Sequence, residues 1–128
     1  MNHKFEIYVS YSQVAVFLPE LQEPFNPWTD DDVEKGFSWR PGSVSFRTTV
    51  EAGEHSIRVC QDGNGVGAKS TVRSAIVPFE VPENGLVEVG SISDSRVIAV
   101  EPGLYSLTFE LLGHDEQATE ILLLFTKA

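Results

Sequence analysis

Apolar and polar residues alternate with a period of two along most of the chain, the spacing that sends successive side chains to opposite faces of a strand. Phe5, Ile7 and Val9 share one face of a first predicted strand, and Val14, Val16 and Leu18 one face of a second, with Tyr11-Ser12 as the turn between them. A third strand carries Val44, Phe46, Thr48 and Val50 and stops at Glu51-Ala52-Gly53-Glu54. A fourth runs from His55 to Gln61 with Ile57 and Val59 on one side. Thr71 to Val81 is extended again but contains Pro78, which has no N–H for a neighbouring strand and so predicts an edge position or a bulge.

Pro82-Glu83-Asn84-Gly85 is the strongest hairpin signal, because proline suits the start of a turn and Asn-Gly tolerates left-handed backbone. Strands carrying Leu86 to Ile92, Arg96 to Val100, Tyr105 to Leu111 and Thr119 to Thr126 complete the set, with Gly, Pro or Asn at nearly every junction. Short strands at such regular spacing predict an all-β fold, an antiparallel β-sandwich of about nine short strands in one domain spanning residues 1–128.

One segment breaks the period. Thr29-Asp30-Asp31-Asp32-Val33-Glu34-Lys35-Gly36 predicts a short acidic helix near residues 29–36, with Thr29 as N-cap and Gly36 just past the end. Its aspartates complement the positive end of the helix dipole, and Asp32 stands where a capping-box acid belongs. Phe25, Trp28, Phe37 and Trp39 flank it, so both tryptophans of the protein fall in this region. From the residues alone, two roles fit: aromatic packing with simple capping, or a recognition patch of carboxylates and tryptophans.

Charge narrows the function classes. Nineteen acids against nine Lys plus Arg give a net charge of −10, and the cations are scattered singly, so direct binding to nucleic acid or to an anionic membrane is not expected. An acidic surface favours encounter with a basic partner. The longest apolar run, Ile121 to Phe125, is too short for a membrane helix, and the N-terminus enters alternation directly, from which a cytoplasmic location is expected. A single cysteine, Cys60, fits a reducing compartment and reads as an inert thiol in mid-strand.

Catalytic and cofactor motifs are weak throughout. Residues 63–70, Gly-Asn-Gly-Val-Gly-Ala-Lys-Ser, approach a phosphate-binding loop, but Ala68 replaces a required glycine and β-branched residues with Pro78 follow where a helix should begin. Asp62-Gly63-Asn64 opens like a calcium loop, yet Arg73 occupies the position of its bidentate glutamate. His3, His55 and His114 lie too far apart for a zinc motif, so neither a metal nor a cofactor is expected and no catalytic residue is assigned.

Several stretches together resemble the competence protein J family, inhibitors of the DNA-entry nuclease of competent bacteria. They are Ser10-Tyr11-Ser12-Gln13 with Val16-Phe17, Trp28-Thr29-Asp30 with Glu34-Lys35-Gly36-Phe37, and Ser43-Val44-Ser45-Phe46. Val77-Pro78-Phe79-Glu80-Val81 with Glu83-Asn84-Gly85, and Pro102-Gly103-Leu104-Tyr105-Ser106-Leu107, follow in order. The resemblance implies a small protein that binds and blocks a DNA-degrading nuclease without an activity of its own, and it assigns no contact residues.

The charge agrees with that implication, since a nuclease must offer phosphates a basic groove that carboxylates could occupy instead. Asp30, Asp31, Asp32 and Glu34 are the expected groove-facing acids, with Trp28 and Trp39 as apolar anchors. Three alternatives stay open: an immunity protein for a related toxin nuclease, a β-sandwich that binds a small ligand such as a sugar through its aromatics, and a carboxylate hydrolase for which no acid pair can be nominated. Homo-oligomerisation through an exposed strand edge is likewise left open.

Overall fold

Two sheets meet face to face because each strand carries an apolar row that must leave water. The computed structural model describes residues 2–61, 71–114 and 117–128. These form β1 (Asn2–Val9), β2 (Gln13–Phe17), α1 (Asp30–Lys35), β3 (Phe37–Arg40), β4 (Ser43–Arg47), β5 (Gly53–Gln61), β6 (Thr71–Val81), β7 (Leu86–Gly90), β8 (Ser95–Ala99), β9 (Gly103–Leu112) and β10 (Glu120–Lys127). The first sheet has the order β1-β5-β10-β9-β6, and the second β3-β4-β2-β7-β8. Phe46 of β4 stacks on Phe109 of β9 with centroids 4.4 Å apart and rings 3° from parallel, joining the sheets at the centre. Phe125 of β10 meets Tyr105 and Phe79 edge to face at 5.5 and 6.0 Å. Truncating Phe46 or Phe109 in such a core costs on the order of 3–5 kcal/mol.

The expected all-β sandwich is what the chain forms, and its departures in detail have local causes. Among the described residues there are ten strands rather than about nine, because Phe37-Ser38-Trp39-Arg40 emerges directly from α1 as β3 and is too short to show a period. The first sheet is mixed, since β10 runs parallel to β5 with Ile121 opposite Ile57. Alternation fixes which face is buried and not which way a neighbour runs. At Pro82–Gly85 the predicted turn forms, with Gly85 at φ 65° and its N–H donating to Pro82 O at 2.9 Å. It does not make a hairpin: β6 pairs with β9 in the first sheet, while β7 pairs with β2 and β8 in the second. Turn chemistry bends the chain but does not choose the partners. Tyr11-Ser12 likewise carries the chain from β1 in one sheet to β2 in the other.

Pro78 lies on β6, which is an edge strand and carries a register shift between Thr71 and Arg73. Cys60 is buried in a small cluster with Leu112 and Leu122. The glycine-rich stretch 62–70, with its approaches to a phosphate loop and a calcium loop, and residues 115–116 lie outside the described residues.

His55 is fully buried on β5, with Nδ1 2.9 Å from the Gly53 carbonyl and Nε2 without a hydrogen-bond partner. The pattern is that of a neutral ring with Nδ1–H donating and a bare Nε2. Burial pushes the ring's pKa below its ordinary value of 6.5, and the Gly53 carbonyl and the nearby Glu54 only partly oppose it. The unfolded chain therefore binds this proton more readily than the folded one, so stability rises with pH across this range. The stability His55 contributes is complete above 6.5 and is lost progressively as pH falls below it. Urea midpoints measured at pH 7.5 and pH 5.5 should drop in the wild-type protein and change much less in His55→Gln; equal drops in both would assign the loss to other groups.

Candidate partner-binding surface

Strands β2 and β4 are buried on both faces. Val14, Val16, Val44 and Phe46 point into the sandwich, while Ala15, Phe17, Ser43 and Ser45 on the opposite side are also buried. The cover over that second side is the irregular segment 18–29, which leaves β2 and leads to α1. Irregular backbone lying on a sheet has no ladder to satisfy its polar groups, so Leu21 N–H donates to Leu18 O at 3.1 Å, Leu18 N–H donates to Gly42 O at 3.0 Å, and side chains add further bonds. Asn26 is buried and donates Nδ2 to the carbonyls of Ser38 at 2.8 Å and Ser43 at 3.1 Å, while its Oδ1 accepts from Arg40 Nε at 2.6 Å. Ser38 Oγ donates to Pro27 O at 2.9 Å, Ser43 Oγ to Pro24 O, and Arg40 Nη2 to Glu23 O. Phe25 tilts against Phe17 at 5.7 Å. The small residues Ala15, Ser38, Ser43 and Ser45 give this strap room to approach.

The strap delivers α1 with its caps made as the sequence predicts. Thr29 is the N-cap: Asp32 N–H donates to Thr29 Oγ1 at 3.2 Å, and Thr29 N–H donates back to Asp32 Oδ2 at 3.1 Å. Gly36 ends the helix at φ 89°, its N–H donating to Asp32 O at 2.9 Å and its carbonyl accepting from Arg47 N–H at 2.9 Å. That left-handed conformation favours glycine. The Thr29 backbone bond, above all, holds the Asp32 carboxyl below the usual carboxylate range; partial burial opposes it, and the Thr29 hydroxyl and Lys35, 3.3 Å away, assist. Asp32 is thus occupied within the helix. Asp30, Asp31 and Glu34 stand exposed, and α1 buries none of its residues.

Trp28 and Trp39 are not brought together. Trp28 is half-buried and donates Nε1 to Gln13 Oε1 at 3.3 Å, lining a cavity of about 250 Å³ with Tyr11, Ser12, Gln13, Val33 and Arg47. This cavity borders α1 through Val33, whose carbonyl accepts from Arg47 Nη1 at 3.3 Å. Trp39 lies on β3 and donates Nε1 to Pro78 O on β6 at 2.7 Å, clasping the edge strands of the two sheets. It lines a separate groove of about 570 Å³ with Leu18, Pro41, Pro78, Pro82 and Leu104 among its walls. That carbon-rich lining offers few partners for the hydroxyls of a sugar.

Tyr11 and Val33 join Trp28 at its cavity without having been singled out from the sequence as binding residues. The available signal was Ser10-Tyr11-Ser12-Gln13, a large aromatic at a predicted turn. Among the described residues no three His, Cys, Asp or Glu side chains converge as a metal site would require, and no helix is long and apolar enough to cross a membrane.

Comparison with known proteins places these features in context. The family model described as Competence protein J (ComJ) matches residues 6–126. A protein of Bacillus subtilis (strain 168) named DNA-entry nuclease inhibitor is 31% identical over 104 residues, covering 80% of this chain and 76% of that one. The crystal structure of ComJ from Bacillus subtilis, described there as inhibitor of the DNA degrading activity of NucA, superposes with a TM-score of 0.80. It is 24% identical and covers 98% of this chain and 96% of its own, a likeness of fold. A structure named Crocagin biosynthetic gene J shares the fold at a TM-score of 0.64, with 15% identity over 99% of this chain and 98% of its own.

The strap generates a specific expectation. Asn26→Ala removes the donor to two carbonyls and the acceptor of Arg40, and leaving such buried groups unpaired costs on the order of 2–4 kcal/mol. The expected result is a lower urea midpoint together with red-shifted tryptophan emission as Trp28 becomes more exposed; an unchanged midpoint would show that the strap is held by other contacts.

Proposed function

The chain belongs to the competence protein J family, and from that premise we propose that it is a protein inhibitor of a DNA-degrading nuclease, acting by occupying the enzyme's basic DNA-binding groove. It has no catalytic role of its own in this reading, and its partner is the nuclease, not nucleic acid. The observation that supports the proposal is the way α1 is presented. A helix that buries none of its residues adds little to the core, yet a capping box, a left-handed cap, the strap and Arg47 all hold it in place. Fixing an acidic element that the fold does not need for burial is what recognition of a basic surface requires, because pre-ordering removes part of the entropic cost of binding.

Asp30, Asp31 and Glu34 stand in for phosphates in this reading, and Asp32 adds charge while serving the cap. Trp28 is the neighbouring apolar anchor, and Trp39 contributes only if the footprint extends to the groove on the far side of β3. A net charge of −10 adds long-range attraction to a basic groove, speeding encounter at low salt. Whether the target is a competence nuclease or a related toxin nuclease changes the gene's setting and not the chemistry of blocking.

Titration of a DNA-degradation assay with this protein should abolish cutting at about one-to-one stoichiometry and leave an unrelated nuclease untouched. Neutralising the exposed acids together, Asp30→Asn, Asp31→Asn and Glu34→Gln, should weaken inhibition about 10- to 100-fold at low salt, chiefly through slower association. The variant should also flatten the salt dependence. A folded triple variant that inhibits like the wild type at every salt concentration would refute the assignment of α1.

A further inference from the structure

Tyr11 is the most exposed of the large hydrophobic residues described, at 72%. It also occupies backbone that its side chain disfavours: Tyr11 at φ 57° and Ser12 at φ 56° are the non-glycine residues with positive φ among those described. Glycine or asparagine would sit there with less strain, and a bulky aromatic in this region is uncommon. The conformation persists because the surroundings over-determine it. Ser12 N–H donates to Glu51 O and Thr48 N–H donates to Ser12 O, both at 2.8 Å. Ser10 N–H donates to Ser91 Oγ at 2.8 Å, and that hydroxyl lies 3.1 Å from Ser10 O and 2.9 Å from Gln13 O.

Nothing in the core requires an aromatic at this corner. What the corner does is place a tyrosine ring beside the Trp28 cavity, on whose lining Val33 of α1, itself 40% exposed, also lies. This apolar cluster is continued by a helix that exposes Asp30, Asp31 and Glu34, and the two together offer the makings of a binding surface, with aromatics at the centre and charge at the rim. Tyrosine suits the centre because it buries much area while ordering few rotatable bonds.

We infer that Tyr11, with Trp28 and Val33, forms the apolar centre of the surface that seats on the DNA-contacting face of the nuclease, the acidic rim matching that face's positive charge. The inference rests on the inhibitor reading above and goes beyond it by assigning the principal contact to a residue outside the acidic helix. Arg47 lines the same cavity, but its guanidinium is engaged by the Val33 carbonyl.

Tyr11→Asn and Tyr11→Gly separate binding from folding, because both residues accept left-handed backbone that tyrosine resists. Thermal midpoints and affinity for the nuclease are measured for both, alongside Tyr11→Phe and the wild type. The expected result is a Tyr11→Asn midpoint at or above the wild-type value, with affinity at least tenfold weaker in both Asn and Gly variants and largely retained in Tyr11→Phe. Wild-type affinity in Tyr11→Asn and Tyr11→Gly, while the wild type itself inhibits, would overturn the inference and leave the inhibitor reading standing. A loss of affinity matched by a clear fall in the Tyr11→Asn midpoint would overturn it as well, by giving Tyr11 a structural role. A wild type that fails to bind the nuclease at all would remove the premise itself.

Discussion

The strap between β2 and α1 lies on a sheet face, and its polar backbone must be satisfied where regular pairing is unavailable. That requirement explains otherwise unconnected residues. Asn26 bridges Ser38 and Ser43, Ser43 reaches Pro24, Ser38 reaches Pro27, and Arg40 holds both Asn26 and the Glu23 carbonyl. It also explains why β2 and β4 keep Ala15, Ser43 and Ser45 on the covered side, since larger side chains would lift the strap away. Once the strap is fixed, Trp28 is set against Gln13, Thr29 is placed to cap α1, and the acids are turned to solvent.

Function in this account comes from presentation more than from reactive groups. A free helix of six residues would be marginal in water even with its acids placed to suit the dipole and the cap. The fold supplies the missing stability from outside the helix through the strap, the Gly36 cap and the Arg47 contacts. The sandwich thus acts as a rigid frame on which one strained corner and one capped helix stand side by side. Rigidity matters because every side chain ordered in advance is one that need not be ordered on binding.

Much of the frame was legible in the sequence because alternation reports burial directly. Pro78 pointed to an edge position or a bulge, and β6 is an edge strand; Thr29, Asp32 and Gly36 identified α1 with its caps. Strand partnership was not legible, as the turn at Pro82–Gly85 and the parallel β5–β10 pair show, because those depend on contacts far apart in the chain. The strap was hidden for a related reason: its bonds run from Asn26, Ser38 and Ser43 to carbonyls 11 to 19 residues away, with no periodic signature. The uninterrupted Val14-Ala15-Val16-Phe17 run was the one hint of a strand covered on both sides. Of the candidate surface, the acids and Trp28 were legible from charge and composition. Tyr11 was not, since its exposure and left-handed backbone appear only in three dimensions.

The central claim is that this protein and DNA compete for one surface of the nuclease. It is tested most directly by adding the protein to a nuclease–DNA complex held in metal-free buffer, so that a labelled duplex stays uncut, and following the bound DNA by fluorescence anisotropy and the assembly by size-exclusion chromatography. The account predicts that DNA is displaced as a one-to-one protein–nuclease complex forms. A stable ternary complex of DNA, nuclease and this protein would contradict it.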